Sequence, residues 1–305
     1  MCCLFGFVDY AGSLSVKQKS RLIRELSIAA EVRGTDATGI AYNTSRGLQI
    51  YKRPLAAHRL HLKIPAEAHV VMGHTRMTTQ GSAKKNYNNH PFFGCVKGKR
   101  FALAHNGVLW NDRGLRHTKH LPKTKIQTDS YVAVQLLEQQ KALDFDSLAK
   151  MAEQVEGSFS FAVLDEQDAL WLVKGDNPLT IVHFPAAGVY VYASTAEILN
   201  KALARCGNWL GRGEKVDIAM GDIVKIDSRG HITHGTFDVS KFYRSSWGYW
   251  DTPLYPKAPH SEEEHLALLK SVAKAFGFTS EMIDRLLDQG FTTMEIEELL
   301  YDGGY

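Results

Sequence analysis

The chain opens with an almost unbroken apolar run from Cys2 to Val8, and at Val16 the rhythm changes so that Leu22, Ile23, Leu26, Ala29 and Ala30 recur three and four residues apart. The first pattern predicts a strand, and the second a helix over Val16–Val32, because residues at that spacing share one helix face. Short strands are expected at Thr38–Tyr42, Leu48–Lys52 and Ala68–His74. Phe101–Ala104 reads as a strand leading into a His105-Asn106-Gly107 turn, and Ser130–Gln139 has the apolar spacing of a helix lying on a sheet.

From Gly157 onward, short β-rich runs alternate with turn residues: Phe159–Leu164, Ala169–Val173, Leu179–Phe184 and Val189–Ala193. This punctuation predicts antiparallel hairpins. A helix at Ala196–Arg205 and strands near Ile223–Ile226 and His231–Thr233 complete the pattern. Strands and helices grouped in blocks argue for a layered α+β domain, not a parallel nucleotide-binding sheet.

The composition shifts between Tyr243 and His260, where Trp247, Tyr249, Trp250 and Tyr255 stand among prolines and small polar residues. We read 2–240 as one domain, 241–260 as a linker and 261–305 as a small helical bundle. In the bundle, Ser261 caps a helix running to about Phe276, followed by short helices at Ser280–Leu287 and Thr292–Leu300. The Asp288-Gln289-Gly290-Phe291 loop resembles that of a ubiquitin-associated-type bundle, and the segment is read as a packing or protein-contact module.

With 305 residues, 44% hydrophobic and 23% charged, the composition is globular, and a formal net charge of +3 gives no ground for nucleic-acid binding. The basic stretches at Lys84, Lys85, Lys97, Lys99, Arg100 and from Arg113 to Lys125 are read as solvated loops. Four cysteines without a CxxC pair suit a reducing, cytoplasmic setting. No run approaches the ~18 apolar residues of a membrane span, so a soluble protein is expected. His58 and His61, His117 and His120, and His231 and His234 repeat at three-residue spacing, but no cysteine or carboxylate cluster completes a metal site. Neither a Walker loop nor a dinucleotide fingerprint occurs, so no cofactor is called for.

Cys2 is where chemistry first enters. Removal of Met1, favoured by a small second residue, would leave Cys2 with both a thiol and a free α-amine, whose ordinary pKa of about 7.7–8.0 lets it take the thiol's proton. Taken alone, Cys2 reads equally as a small core residue. What changes that reading is an ordered set downstream: Arg33-Gly34-Thr35-Asp36-Ala37-Thr38-Gly39, Gly73-His74-Thr75-Arg76, His105-Asn106-Gly107 and Thr128-Asp129-Ser130. With the Met1-Cys2 start, these motifs resemble the class II glutamine amidotransferases, N-terminal-nucleophile enzymes that include the glutaminase domain of glucosamine-6-phosphate synthase.

The resemblance covers about residues 2–235 and implies a four-layer αββα sandwich. It implies Cys2 as nucleophile, with Asn106 through its side-chain amide and Gly107 through its backbone N–H as the oxyanion hole. Arg76 would grip the α-carboxylate of glutamine, a task suited to the guanidinium fork, and Asp129 would receive the α-ammonium. Thr79 and His90 would line the glutamine pocket, and Arg33 would order the loop around the nucleophile. Outside the resemblance, Asn-Gly also reads as a hairpin turn and Asp129 as a helix cap.

Three positions depart from the family pattern: Cys3 stands in place of a glycine, Met77 in place of an aromatic and Gln80 in place of a histidine. Only about sixty residues follow the sandwich, without a recognisable synthase domain, so ammonia is expected to pass to a separate acceptor or synthase subunit. Homo-oligomerisation, a non-catalytic glutamine-binding or scaffold role, and hydrolysis of another small γ-glutamyl amide stand beside that reading.

Overall fold

The computed structural model describes residues 2–240, 266, 270, 279–289, 291 and 296. The chain divides into two compact units, Met1–Lys241 and Phe242–Tyr305.

The first unit is built on two antiparallel sheets. Its strands are β1 (Cys3–Asp9), β2 (Ala37–Thr44), β3 (Gly47–Arg53), β4 (Val70–Arg76), β5 (Phe92–Val96), β6 (Lys99–Leu109), β7 (Gly157–Asp165), β8 (Leu170–Lys174), β9 (Thr180–Phe184), β10 (Val189–Ala193), β11 (Glu214–Val216), β12 (Asp222–Ile226) and β13 (Ile232–Thr236). The first sheet has seven strands in the order β11-β9-β10-β1-β4-β2-β3, and the second has six in the order β13-β12-β8-β7-β6-β5. Helices α1 (Val16–Ala29) and α5 (Ala196–Cys206) lie together on the first sheet. Helices α3 (Tyr131–Gln140) and α4 (Phe145–Gln154) lie on the second, and the short α2 (Asp112–Thr118) precedes them. The layers therefore run helix, sheet, sheet, helix, as expected.

Strand alternation explains the layering. In β1, Cys3, Phe5 and Phe7 enter the core beneath α1 and α5, while Leu4 and Val8 enter the core between the sheets. The same parity holds in β10, where Val189 and Val191 meet the helices and Tyr190 and Tyr192 face the second sheet. Both faces of β1 are covered, and every one of its residues is buried. Gly6 leaves room for the Tyr192 ring, since a Cβ there would lie 2.7 Å from it.

Helix α1 starts at a capping box. Ser15 Oγ accepts the Gln18 N–H at 3.3 Å, and Gln18 Oε1 accepts the Ser15 N–H at 3.0 Å, which satisfies two otherwise orphaned donors. The apolar stripe of Leu22, Ile23 and Leu26 then lies on the sheet. Helix α1 stops at Ala29 and tightens into a 3-10 turn over Ala30–Arg33, short of the expected end at Val32.

Two expectations are overturned. His105-Asn106-Gly107 is not a turn: β6 runs straight through it to Leu109, paired with β7 in the register Asn106↔Ser160 and Gly107↔Phe159. The glycine serves close backbone approach inside a strand, because at φ +142° a Cβ would sit 1.8 Å from the Ser158 carbonyl oxygen. Nor does Asp129 cap α3. Ser130 holds the N-cap position without a side-chain bond, and the Asp129 carboxylate turns to accept the Leu109 N–H at 2.7 Å.

In the second unit, α6 (Ser280–Asp288) buries Ile283 against Ile296, with Leu266, Leu286 and Leu287 around them. The linker at 241–260 and most of the two flanking helices expected from the sequence lie outside the described residues.

Candidate active site

The sheets bring together, at one end, residues far apart in sequence. Cys2 precedes β1 in the first sheet, and Asn106 and Gly107 lie near the end of β6 in the second; β1 and β6 approach each other across the interface. Cys2 is buried, with its thiol 3.5 Å from the Met77 carbonyl oxygen and its own carbonyl accepting the Arg33 Nε–H at 2.9 Å. Arg33 thus fixes the peptide that carries the nucleophile candidate. Gly34 lets that loop close on the end of β4, since a Cβ there would lie 2.4 Å from the Arg76 carbonyl carbon.

Burial pushes the Cys2 thiol up from its ordinary pKa, because a thiolate loses hydration there. The Arg76 guanidinium works against that rise, and Asp129 adds to it. Arg76, at the end of β4, is itself buried. Its Nη1 donates to Asn89 Oδ1 at 2.7 Å and its Nη2 to the carbonyls of Gln80 and Gly81. The guanidinium therefore pins the 77–81 loop, on which Thr79 is exposed and Met77 is 52% exposed. Burial works against the Arg76 cation, and the negative charges of Cys2 thiolate, Asp36 and Asp129 offset this.

Asn106 is fully buried, and its Nδ2 donates to Ser194 Oγ at 3.4 Å. The same Ser194 oxygen accepts the Leu4 N–H at 2.8 Å. On the backbone side, Asn177 Nδ2 donates to the Asn106 carbonyl at 3.0 Å and to Ser158 Oγ at 2.7 Å. Sequence reasoning missed Ser194 and Asn177. A lone Ser at a strand end and a lone Asn before a proline carry no periodic signal.

Three buried histidines lie behind this layer. His74 Nε2 pairs with the His105 carbonyl at 2.9 Å, His105 Nδ1 with Ser130 Oγ at 2.8 Å, and the His90 ring lies tilted between those of His74 and Phe92 at centroid distances of 4.1 and 4.4 Å. Burial lowers the His74 pKa to about 3 and holds His90 well below its usual range, with the nearby cations adding to the effect. The structure thus joins Cys2 directly to Arg33, sets the charges of Arg76 and Asp129 near its thiol and links Asn106 through Ser194 to Leu4, two residues on, whereas Thr79 stays on the exposed loop and His90 is enclosed in a ring cluster.

Among the described residues no group of three or more His, Cys, Asp or Glu is placed to hold a metal ion. His58 instead pairs with Glu31 at 3.0 Å and His231 with Asp227 at 3.3 Å. No helix among the described residues is long and apolar enough to cross a membrane.

Two facing antiparallel sheets flanked by helices, with a buried cysteine just before the first strand, are the frame on which these residues meet. The structure is similar to glutamine phosphoribosylpyrophosphate amidotransferase from B. subtilis, with a TM-score of 0.60 at 18% identity over 78% of this chain and 50% of that one. A second neighbour, an allosteric regulatory enzyme of purine biosynthesis, gives a TM-score of 0.61 at 18% identity over 78% of this chain and 49% of the other. These likenesses concern the fold. In sequence, residues 74–201 match the glutamine amidotransferase domain family. The chain is also 30% identical over 194 residues to glutamine–fructose-6-phosphate aminotransferase (isomerizing) of Sulfurisphaera tokodaii, covering 59% of this chain and 31% of that protein. It is 32% identical over 201 residues to the enzyme of that name from Halalkalibacterium halodurans, covering 63% and 32%. The family match over residues 74–201 and the curated relatives agree in pointing to glutamine-dependent amide chemistry as what this chain is similar to. The chain spans about a third of the length of the curated relatives it matches.

Proposed function

We propose that this chain hydrolyses the side-chain amide of glutamine to glutamate and ammonia, and that the ammonia is used by a separate acceptor enzyme or subunit. The observation that carries the reading is the convergence of Cys2 with a buried guanidinium, a buried carboxylate and a buried carboxamide drawn from β4, the start of α3 and β6. Charged partners of both signs beside one thiol suit an amino acid, which carries an α-carboxylate and an α-ammonium.

In the proposed reaction, Met1 is removed and the Cys2 α-amine takes the thiol proton. The thiolate attacks the amide carbon, and the oxyanion that forms is held by Asn106 Nδ2–H and Gly107 N–H. The C–N bond then breaks as the α-ammonium returns its proton to the leaving nitrogen, and water hydrolyses the thioester to glutamate. Arg76 and Asp129 hold the two ends of the substrate. Arg33 fixes the Cys2 peptide, Thr79 contributes from the exposed 77–81 loop, and His90 backs the pocket from within its ring cluster.

Buried thiolate chemistry suits a reducing cytoplasm. The exposed Met77, beside the thiol, offers an apolar contact at the mouth of the site for the acceptor protein. We assign hydrolysis to residues 2–240 and partner contact to the helical residues beyond the linker. Steady-state ammonia release from glutamine, compared with asparagine and γ-glutamyl amides, tests the assignment. Release confined to a γ-glutamyl amide other than glutamine would replace glutamine as the substrate.

A further inference from the structure

We infer that Ser194 and Asn177 are positioning residues, each setting the direction of one of the two oxyanion donors. The inference rests on the proposed reaction for its chemical meaning, but its geometry stands on hydrogen bonds of this chain.

Ser194 follows β10 and is fully buried. Its backbone N–H donates to the Leu4 carbonyl at 2.9 Å while its Oγ accepts the Leu4 N–H at 2.8 Å, so the residue is clamped to β1 two positions beyond Cys2. From that clamp the same oxygen accepts the Asn106 amide at 3.4 Å. Among the described residues this is the side-chain amide's sole hydrogen bond, since Asn106 Oδ1 is buried without a partner. One oxygen therefore ties the strand of the nucleophile to the donor from the opposite sheet. With one Nδ2 proton held by Ser194, the amide plane is fixed and the second proton has one direction.

Asn177 acts on the other donor. Its Nδ2 holds the Asn106 carbonyl at 3.0 Å and is itself anchored on Ser158 Oγ at 2.7 Å. In a trans peptide the C=O and the following N–H point in opposite directions. Holding the Asn106 carbonyl therefore aims the Gly107 N–H the other way. Gly107 accepts this setting at φ +142°, and a Cβ there would come within 2.8 Å of the Asn177 amide.

The two residues act through different donors, and a double-mutant cycle separates them. In the full-length, Met1-processed chain, Ser194→Ala and Asn177→Ala should each lower kcat with KM little changed, by part of the roughly 10²–10³-fold that losing one oxyanion donor costs. Ser194→Ala should add no further loss to Asn106→Ala, whereas Asn177→Ala should add its full loss. Alkylation of Cys2 by iodoacetamide, a displacement that forms no oxyanion, should proceed at the wild-type rate in both variants. Slowed alkylation would show instead that the variants disturb the nucleophile, and full additivity of Ser194→Ala with Asn106→Ala would overturn its role. A crystal structure of Ser194→Ala gives a readout independent of glutamine. The Asn106 side chain should leave its present rotamer while the Leu4 backbone pairing to residue 194 persists, and an unmoved Asn106 amide contradicts the inference. If the wild-type chain releases no ammonia from glutamine, the proposed activity fails, and that structure alone decides the positioning claim.

Discussion

The core beneath α1 and α5 and the interior shared by β4, β5 and β6 are equally buried but chemically opposite. The first is filled by Phe5, Phe7, Leu22, Ile23, Leu26 and Val191, all fully buried, and the buried Lys19 of α1 is paired with Asp9 at 3.3 Å. The second buries His74, His90, His105, Asn106, Arg76 and Asp129. Several of its polar atoms, both His90 ring nitrogens, His105 Nε2, Asn106 Oδ1 and Thr128 Oγ1, have no hydrogen-bond partner among the described residues. Burying an unpaired polar group costs about 1–3 kcal/mol, so a fold selected only for stability would fill this space with hydrocarbon. The contrast teaches where stability and chemistry reside: the helix-covered face is held by hydrocarbon, and the inter-sheet end concentrates buried polar groups at a cost in stability.

That comparison can be broken in several ways. The largest effect is expected from Gly107→Ala, where the new Cβ meets the Ser158 carbonyl at 1.8 Å; the loss should be about 4 kcal/mol or more, read by urea unfolding. Survival of that variant at wild-type stability would show that β6 and β7 can separate at low cost. Asn106→Ala should lower kcat by roughly 10²–10³-fold, equivalent to about 3–4 kcal/mol of transition-state stabilisation, while the thermal midpoint moves little. If it changed only KM, the amide would be a binding group and not an oxyanion donor. Leu26→Ala should do the reverse, costing about 3 kcal/mol of stability through the cavity it leaves while turnover per folded molecule stays at the wild-type value.

A smaller effect is expected from pH. His74 and His90 stay neutral when folded, with pKa values held below the usual 6.5 and that of His74 down at about 3. The unfolded chain therefore binds more protons than the folded one as pH falls below about 6.5, and stability drops with acid; above that pH the penalty is absent. Each such histidine contributes a slope of up to about 1.4 kcal/mol per pH unit in this window. His90→Gln should flatten the profile measured by urea unfolding from pH 7.5 to pH 5, and an unchanged profile would show that His90 is protonated at no cost.

The layered fold was legible because strands covered on both faces read as short, nearly continuous apolar or β-rich runs bounded by turn residues, visible in β1, β7, β8 and β10. Helix α4 escaped notice although Asp144 and Ser147 form a capping box, and β5 escaped because five residues after a proline give too short a period. The misread turn at Asn106-Gly107 has a physical cause: glycine serves a left-handed turn and a close strand contact equally well, and only the partner strand distinguishes them. Asp129 was misread as a cap because its acceptor need is met from Leu109, in another element. The motif residues were legible as a set, whereas Ser194 and Asn177, which touch them, are visible only once the sheets are assembled.

The central claim is that Cys2 attacks the glutamine amide, and it is tested most directly by one paired measurement on processed protein. Intact-mass and peptide analysis after exposure to a glutamine-analogue diazo-ketone should place the label on Cys2 in a chain lacking Met1, with ammonia release from glutamine lost in parallel and absent from Cys2→Ala. Labelling of Cys3 with Cys2 unmodified, or ammonia release by Cys2→Ala at the wild-type rate, would contradict it.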